Sequence, residues 1–95
     1  MDNRGNQSIT DSLTVTVKYF GTVASWVGKK EENLEVPAEI DASLQTVRER
    51  IKELSKGEIL YTVLLNGTSI HTVDAASTKI NKGDIFTVVP VVLGG

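Results

Sequence analysis

One long helical stripe, set between runs that read as strands, constrains this chain more than any other feature. Leu44, Val47, Ile51 and Leu54 recur at spacings of three, four and three, so they share one side of a helix. Ser43 is placed as its N-cap and Gly57 as its C-terminal stop. Arg48, Glu49, Arg50, Lys52 and Glu53 fall between the apolar positions and form a mixed-sign, solvated outer face. A lone amphipathic helix has no second long helix to pack on, so its stripe has to be buried against a sheet.

Strand signals on both sides supply that sheet. Leu13, Val15, Val17 and Tyr19 alternate with polar residues at period two, which predicts a half-buried strand with those four side chains inward. Residues 33–36 predict a second strand, closed by Pro37, and the two are expected to pair antiparallel. Between them, Val23, Trp26 and Val27 sit three and four apart and predict a short helical turn. Phe20 and Trp26 are read as core residues that cap the sheet, because the chain has few aromatics and a small core needs them. After the helix, residues 61–65 run into Asn66-Gly67, a strong hairpin-turn signal. A short edge strand is expected around residues 69–73, then a loop, then a turn at Lys82-Gly83-Asp84. Residues 85–89 are apolar except for Thr87, which predicts a strand buried on both faces. The fold class that follows is α+β: a roll with a mixed four- to five-stranded sheet and one main helix packed across one face. Residues 1–12 read as a flexible leader, 13–89 as the domain and 90–95 as an extended tail.

Composition removes most kinds of chemistry. The 95 residues include no Cys and one His, which excludes thiol nucleophiles, iron–sulfur clusters and the common zinc patterns. His71 has no nearby partner in sequence that would make it catalytic, and a satisfied or solvent-facing role is expected. There is no glycine-rich phosphate loop, and no cofactor is expected. A net charge of −2 carries no footprint for nucleic acid or anionic lipid. No apolar run is long enough to span a bilayer and no signal peptide is evident, so a cytoplasmic protein, monomeric when free, is expected.

The last two residues are harder to explain as scaffold. Glycine makes up about 7% of average sequences, so a chance Gly-Gly at the end is an event of less than about one in a hundred. Gly94 and Gly95 lack side chains and can thread a channel too narrow for any other residue. The α-carboxylate of Gly95, ionised at neutral pH, would then be the reactive group, attacking the α-phosphate of ATP in another protein's active site. A sulfur donor would convert the resulting adenylate to a thiocarboxylate; a lysine amine would convert it to an isopeptide. No catalytic side chain is needed in this chain.

The ordered set Tyr19-Phe20, Val36-Pro37, Leu65-Asn66-Gly67, Lys82-Gly83-Asp84 and Pro90-Val91-Val92-Leu93-Gly94-Gly95 resembles the ubiquitin-like β-grasp proteins. More narrowly it resembles their sulfur-carrier branch, which includes MoaD, the small subunit of molybdopterin synthase, ThiS, and the small archaeal modifier proteins. The residues Ser43-Leu44-Gln45-Thr46-Val47-Arg48-Glu49-Arg50-Ile51 are similar to ubiquitin's helix, and the long connection from Phe20 to Gly28 resembles MoaD more than ThiS. The resemblance spans about residues 13–95. It implies a β-grasp roll and a partner enzyme of the ubiquitin-activating type that adenylates Gly95 with ATP and magnesium. Pro90, Val91, Val92 and Leu93 would bind that partner as an added extended segment. Later partners would be a protein like the large subunit of molybdopterin synthase, or target-protein lysines. The alternative is a non-catalytic β-grasp binding module of the TGS kind.

Overall fold

The structure is a computed structural model and describes residues 12–57, 59–74 and 78–91. Eight segments follow in order: β1 (Ser12–Tyr19), α1 (Gly21–Val27), β2 (Glu31–Pro37), α2 (Ile40–Ser55), β3 (Tyr61–Leu65), β4 (Thr68–Ser69), a 3-10 turn (Ile70–Thr72) and β5 (Ile85–Pro90). The sheet has five strands in the order β2-β1-β5-β3-β4. β1 and β2 are antiparallel, as their sequence predicts, while β1 and β5 are parallel and β5 and β3 antiparallel. The mixed sheet with α2 across one face is the roll expected of the sequence.

Alternation in β1 is obeyed: Val15, Val17 and Tyr19 are buried and Leu13 is partly buried against them. β2 is longer than residues 33–36, because the charged pair Glu31 and Glu32 joins the ladder opposite Lys18 and Val17. β5 occupies the centre, with Phe86 and Val88 fully buried. Its other face, Ile85, Thr87 and Val89, is only half-buried, which corrects the expectation of a strand buried on both sides. The reason is tertiary: both helices cover the same side of the sheet, so the opposite side stays open. The predicted edge strand shrinks to Thr68–Ser69, because Ile70 turns into the core and starts a 3-10 turn.

The ends of α2 also differ from the sequence reading. Ile40 is buried and pulls the helix start one turn earlier, with Glu39 as N-cap. Ser43 is therefore inside the first turn, fully buried, and its hydroxyl donates to the Ile40 carbonyl at 2.9 Å. At the other end Lys56, not Gly57, takes the left-handed conformation at φ 60° and closes the helix by donating to the Lys52 carbonyl. Val47 and Ile51 are buried as the stripe requires, and Leu44 and Leu54 pack partly buried beside them. Each fully buried aliphatic side chain contributes about 1.5–3 kcal/mol.

Asn66 and Gly67 both hold positive φ, 50° and 87°, as the hairpin between β3 and β4 demands. Asn66 is also tied to β5: its N–H donates to the Ile85 carbonyl at 2.8 Å, and its Oδ1 accepts from the Ile85 N–H at 2.9 Å.

Candidate functional site

Of the residues singled out for function, Pro90 and Val91 lie within the described residues; Val92, Leu93, Gly94 and Gly95 lie outside them. Pro90 is the last residue of β5 and pairs with Tyr61 of β3. Its ring rests on Gly21, where a Cβ would stand 3.2 Å from Pro90 Cγ. Gly21 also has φ of +57°, so both its conformation and the space beside Pro90 call for glycine. The first residue of α1 and the last of β5 thus form one junction, and Val91 leaves it exposed.

Exposed apolar residues gather around that junction. Phe20 remains extended after β1, and its N–H donates to the Val88 carbonyl at 3.0 Å, so it continues the β1–β5 ladder. Being one residue out of phase with Tyr19, it faces the open side of the sheet and is 49% exposed. Leu60, just before the Tyr61 that pairs with Pro90, is 61% exposed at the same end. Val91 is 39% exposed. With half-buried Val89 between them, these residues make an apolar platform beside the point where the chain leaves the sheet.

This corrects the reading of Phe20 and Trp26 as core residues. Trp26 is 44% exposed on α1, and the side of α1 that enters the core is carried by Val23 and Val27. Parity in the sequence carried the signal for Phe20: Val15, Val17 and Tyr19 point inward, so the next residue points out. Leu60 was missed, and the same argument, counted back from Tyr61, Val63 and Leu65, would have found it.

A second polar feature lies behind the sheet. Glu32 Oε2 accepts from the Tyr19 hydroxyl at 2.6 Å, and Arg50 reaches both carboxylate oxygens, with Nη2 2.8 Å from Oε1 and Nε 3.0 Å from Oε2. Lys29 Nζ adds a contact at 3.2 Å. Hydrogen bonding from Arg50 is the main reason the Glu32 carboxyl is lowered to about 2; burial opposes it, and Tyr19 and Lys29 assist. Burial, then the bond to Glu32, raises the Tyr19 phenol well above its ordinary value. Tyr19, Lys29 and two of the Arg50 nitrogens converge on this one carboxylate, while Arg50 Nη1 reaches Glu53 at 3.2 Å, so the cluster ties β1, β2 and α2 together.

His71 is exposed, as expected. Among the described residues no group of three or more His, Asp and Glu is placed to hold a metal ion, and no helix is long and apolar enough to cross a membrane. The exit of β5 carries its exposed apolar residues outward beside the tail's starting point.

Comparison with known proteins agrees with the fold. Among solved structures, small archaeal modifier protein 1 of Methanosarcina acetivorans superposes with a TM-score of 0.65 at 22% identity, covering 90% of this chain and 99% of that one. A Pyrococcus furiosus protein assigned as molybdopterin converting factor subunit 1 gives 0.60 at 25% identity, covering 85% and 100%. Urm1 of Sulfolobus solfataricus gives 0.60 at 21% identity, covering 80% and 99%. A search of curated protein sequences finds no match. The sequence profile of the ThiS family matches residues 17–95, from the middle of β1 through the final glycine. With its α+β roll and its five-stranded mixed sheet, the chain belongs to the ThiS family of ubiquitin-like β-grasp sulfur-carrier proteins.

Proposed function

We propose that this chain is a protein-borne carrier whose Gly95 carboxylate is activated by a ubiquitin-activating-type enzyme using ATP and magnesium. The observation that carries the reading is the family match that runs through Gly94 and Gly95. The carboxylate oxygen forms a bond to the α-phosphorus and pyrophosphate leaves. A sulfur nucleophile then displaces AMP, forming a carbon–sulfur bond and leaving a thiocarboxylate. Attack by a lysine amine, with loss of one proton, would instead give an isopeptide. The likeness to the molybdopterin converting factor subunit at 25% identity favours the sulfur route and a large-subunit-like acceptor.

In this reading the activating enzyme docks on Phe20, Leu60 and Val91 and draws residues 90–95 into its active site as an added extended segment. Apolar area next to the tail supplies affinity, and the two glycines supply access. Pro90, wedged on Gly21, fixes where the segment starts. Residues of this chain bind and present; the chemistry occurs in the partner.

Intact mass spectrometry of the protein from its native cell tests the proposal. A C-terminal peptide about 16 Da heavier, oxygen exchanged for sulfur at an ionised carboxylate, is expected of a carrier. Branched Gly-Gly remnants on lysines of other proteins would identify a modifier. ATP–pyrophosphate exchange that is unchanged after removal of Gly94 and Gly95 would overturn the activation step.

A further inference from the structure

β2 forms one edge of the sheet, and its outer side is unpaired among the described residues. Hydrogen bonding fixes which groups it presents. The Tyr19 N–H donates to the Lys30 carbonyl at 2.8 Å, so odd-numbered β1 residues bond toward β2. Thr16 and Phe20 donate instead to Asp84 and Val88, on the β5 side. Given the register Val15↔Leu34 and Val17↔Glu32, even-numbered β2 residues spend their backbone groups on β1. Glu31, Asn33 and Glu35 therefore turn N–H and C=O outward. Pro37, which has no N–H, ends the row.

A groove of about 420 Å³ runs beside this edge, with Leu34 in it and Thr46, Glu49, Arg50 and Glu53 along α2. Arg50 is committed to Glu32 and Glu53. Among the described residues Glu49 accepts only from the neutral amide of Gln45 at 3.0 Å, and Glu31, although opposite Lys18 in the β1–β2 register, forms no ion pair. Glu35 accepts from the Ser12 and Thr14 hydroxyls at 2.9 and 2.7 Å, bonds that favour its ionised form. The free edge thus combines an unused ladder, an apolar foothold and an acidic rim. A second copy is the wrong occupant: antiparallel pairing of two β2 edges about Asn33 would set Glu31 of each against Glu35 of the other.

We propose that the free edge of β2 accepts an extended segment of another protein in which Lys or Arg alternates with Val, Ile or Leu. Backbone groups of the segment continue the ladder at Glu31, Asn33 and Glu35. Its apolar side chains, which follow the inward parity of Leu34, enter the groove beside α2. Its cations fall on the open face, opposite Glu31 and Glu35. The site lies at the sheet edge, two strands from β5; its Glu31 end borders the cleft that holds Phe20 and Gly21, while Asn33 and Glu35 lie farther along the edge, and it does not depend on how the tail is used.

The test is amide NMR and hydrogen exchange on the full chain with the peptide acetyl-Lys-Val-Lys-Val-Lys-amide and its Glu-Val-Glu-Val-Glu counterpart. The Lys peptide is expected to shift the amides of Glu31, Asn33 and Glu35, slow their exchange, and bind at least about tenfold tighter than the Glu peptide. Glu31→Lys should reverse that preference, whereas Glu49→Lys, in the groove on the α2 side and across the sheet from the peptide's cations, should leave the preference for the Lys peptide in place. Equal binding of both peptides, no slowing at those three amides, or shifts confined to the Phe20 and Leu60 end would overturn the proposal.

Discussion

Pro90 is seated on Gly21: the last residue of β5 packs against the first residue of α1 so closely that an added Cβ would stand 3.2 Å from Pro90 Cγ. This contact fixes the end of β5 from which Val91 emerges. Gly21→Ala should cost about 1–2 kcal/mol, since φ of +57° is strained for any residue with a Cβ. Denaturant unfolding of the variant measures it, and an unchanged midpoint would show that α1 shifts away from Pro90 at no cost.

Glu32 makes stability depend on acid. Its folded carboxyl is lowered to about 2, below the ordinary glutamate value near about 4.3, so the unfolded chain binds the proton first as pH drops. The stabilisation is therefore complete above the unfolded value and is lost as pH falls from there toward about 2. Glu32→Gln should destabilise at neutral pH by about 1–3 kcal/mol and flatten this part of the acid limb. Thermal melts across that window, wild type beside variant, provide the comparison.

The two phenylalanines should behave oppositely. Phe86 is fully buried in the central strand, and Phe86→Ala is expected to cost about 3–5 kcal/mol. Phe20, half-exposed on the open face, should cost less than about 1 kcal/mol when changed to Ala. Similar losses at both sites would contradict the parity that turns Phe20 outward.

Partner activation should follow the platform. Phe20→Ser and Leu60→Ser are expected to slow ATP–pyrophosphate exchange by about tenfold or more while the fold is retained, because apolar anchors beside a docking point carry most of its energy. Trp26→Ser, on α1, should leave the exchange rate alone. Leu93→Asp should weaken partner binding with little change in melting temperature; a large fall would instead make Leu93 a core residue.

Much of the architecture was legible in local pattern. Period two in residues 13–19, the stripe from Leu44 to Leu54 and the Asn66-Gly67 turn each depend on neighbours within a few positions, and each appears in the structure where the sequence predicts it. The closing Pro90-Val91-Val92-Leu93-Gly94-Gly95 likewise pointed to the family, because it is a linear motif. Tertiary structure decided what periodicity cannot encode. Ile85 and Val89 read as core, but both helices settled on the opposite side of the sheet and left them half-covered. Ile40 found a place in the core and moved the start of α2 ahead of Ser43. Glu32, one of four consecutive charges, has no local partner that marks its role; β2 brings it between Tyr19 and Arg50, 13 residues before it and 18 after it in the chain. Burial and long-range pairing belong to the assembled sheet, so no window of sequence contains them.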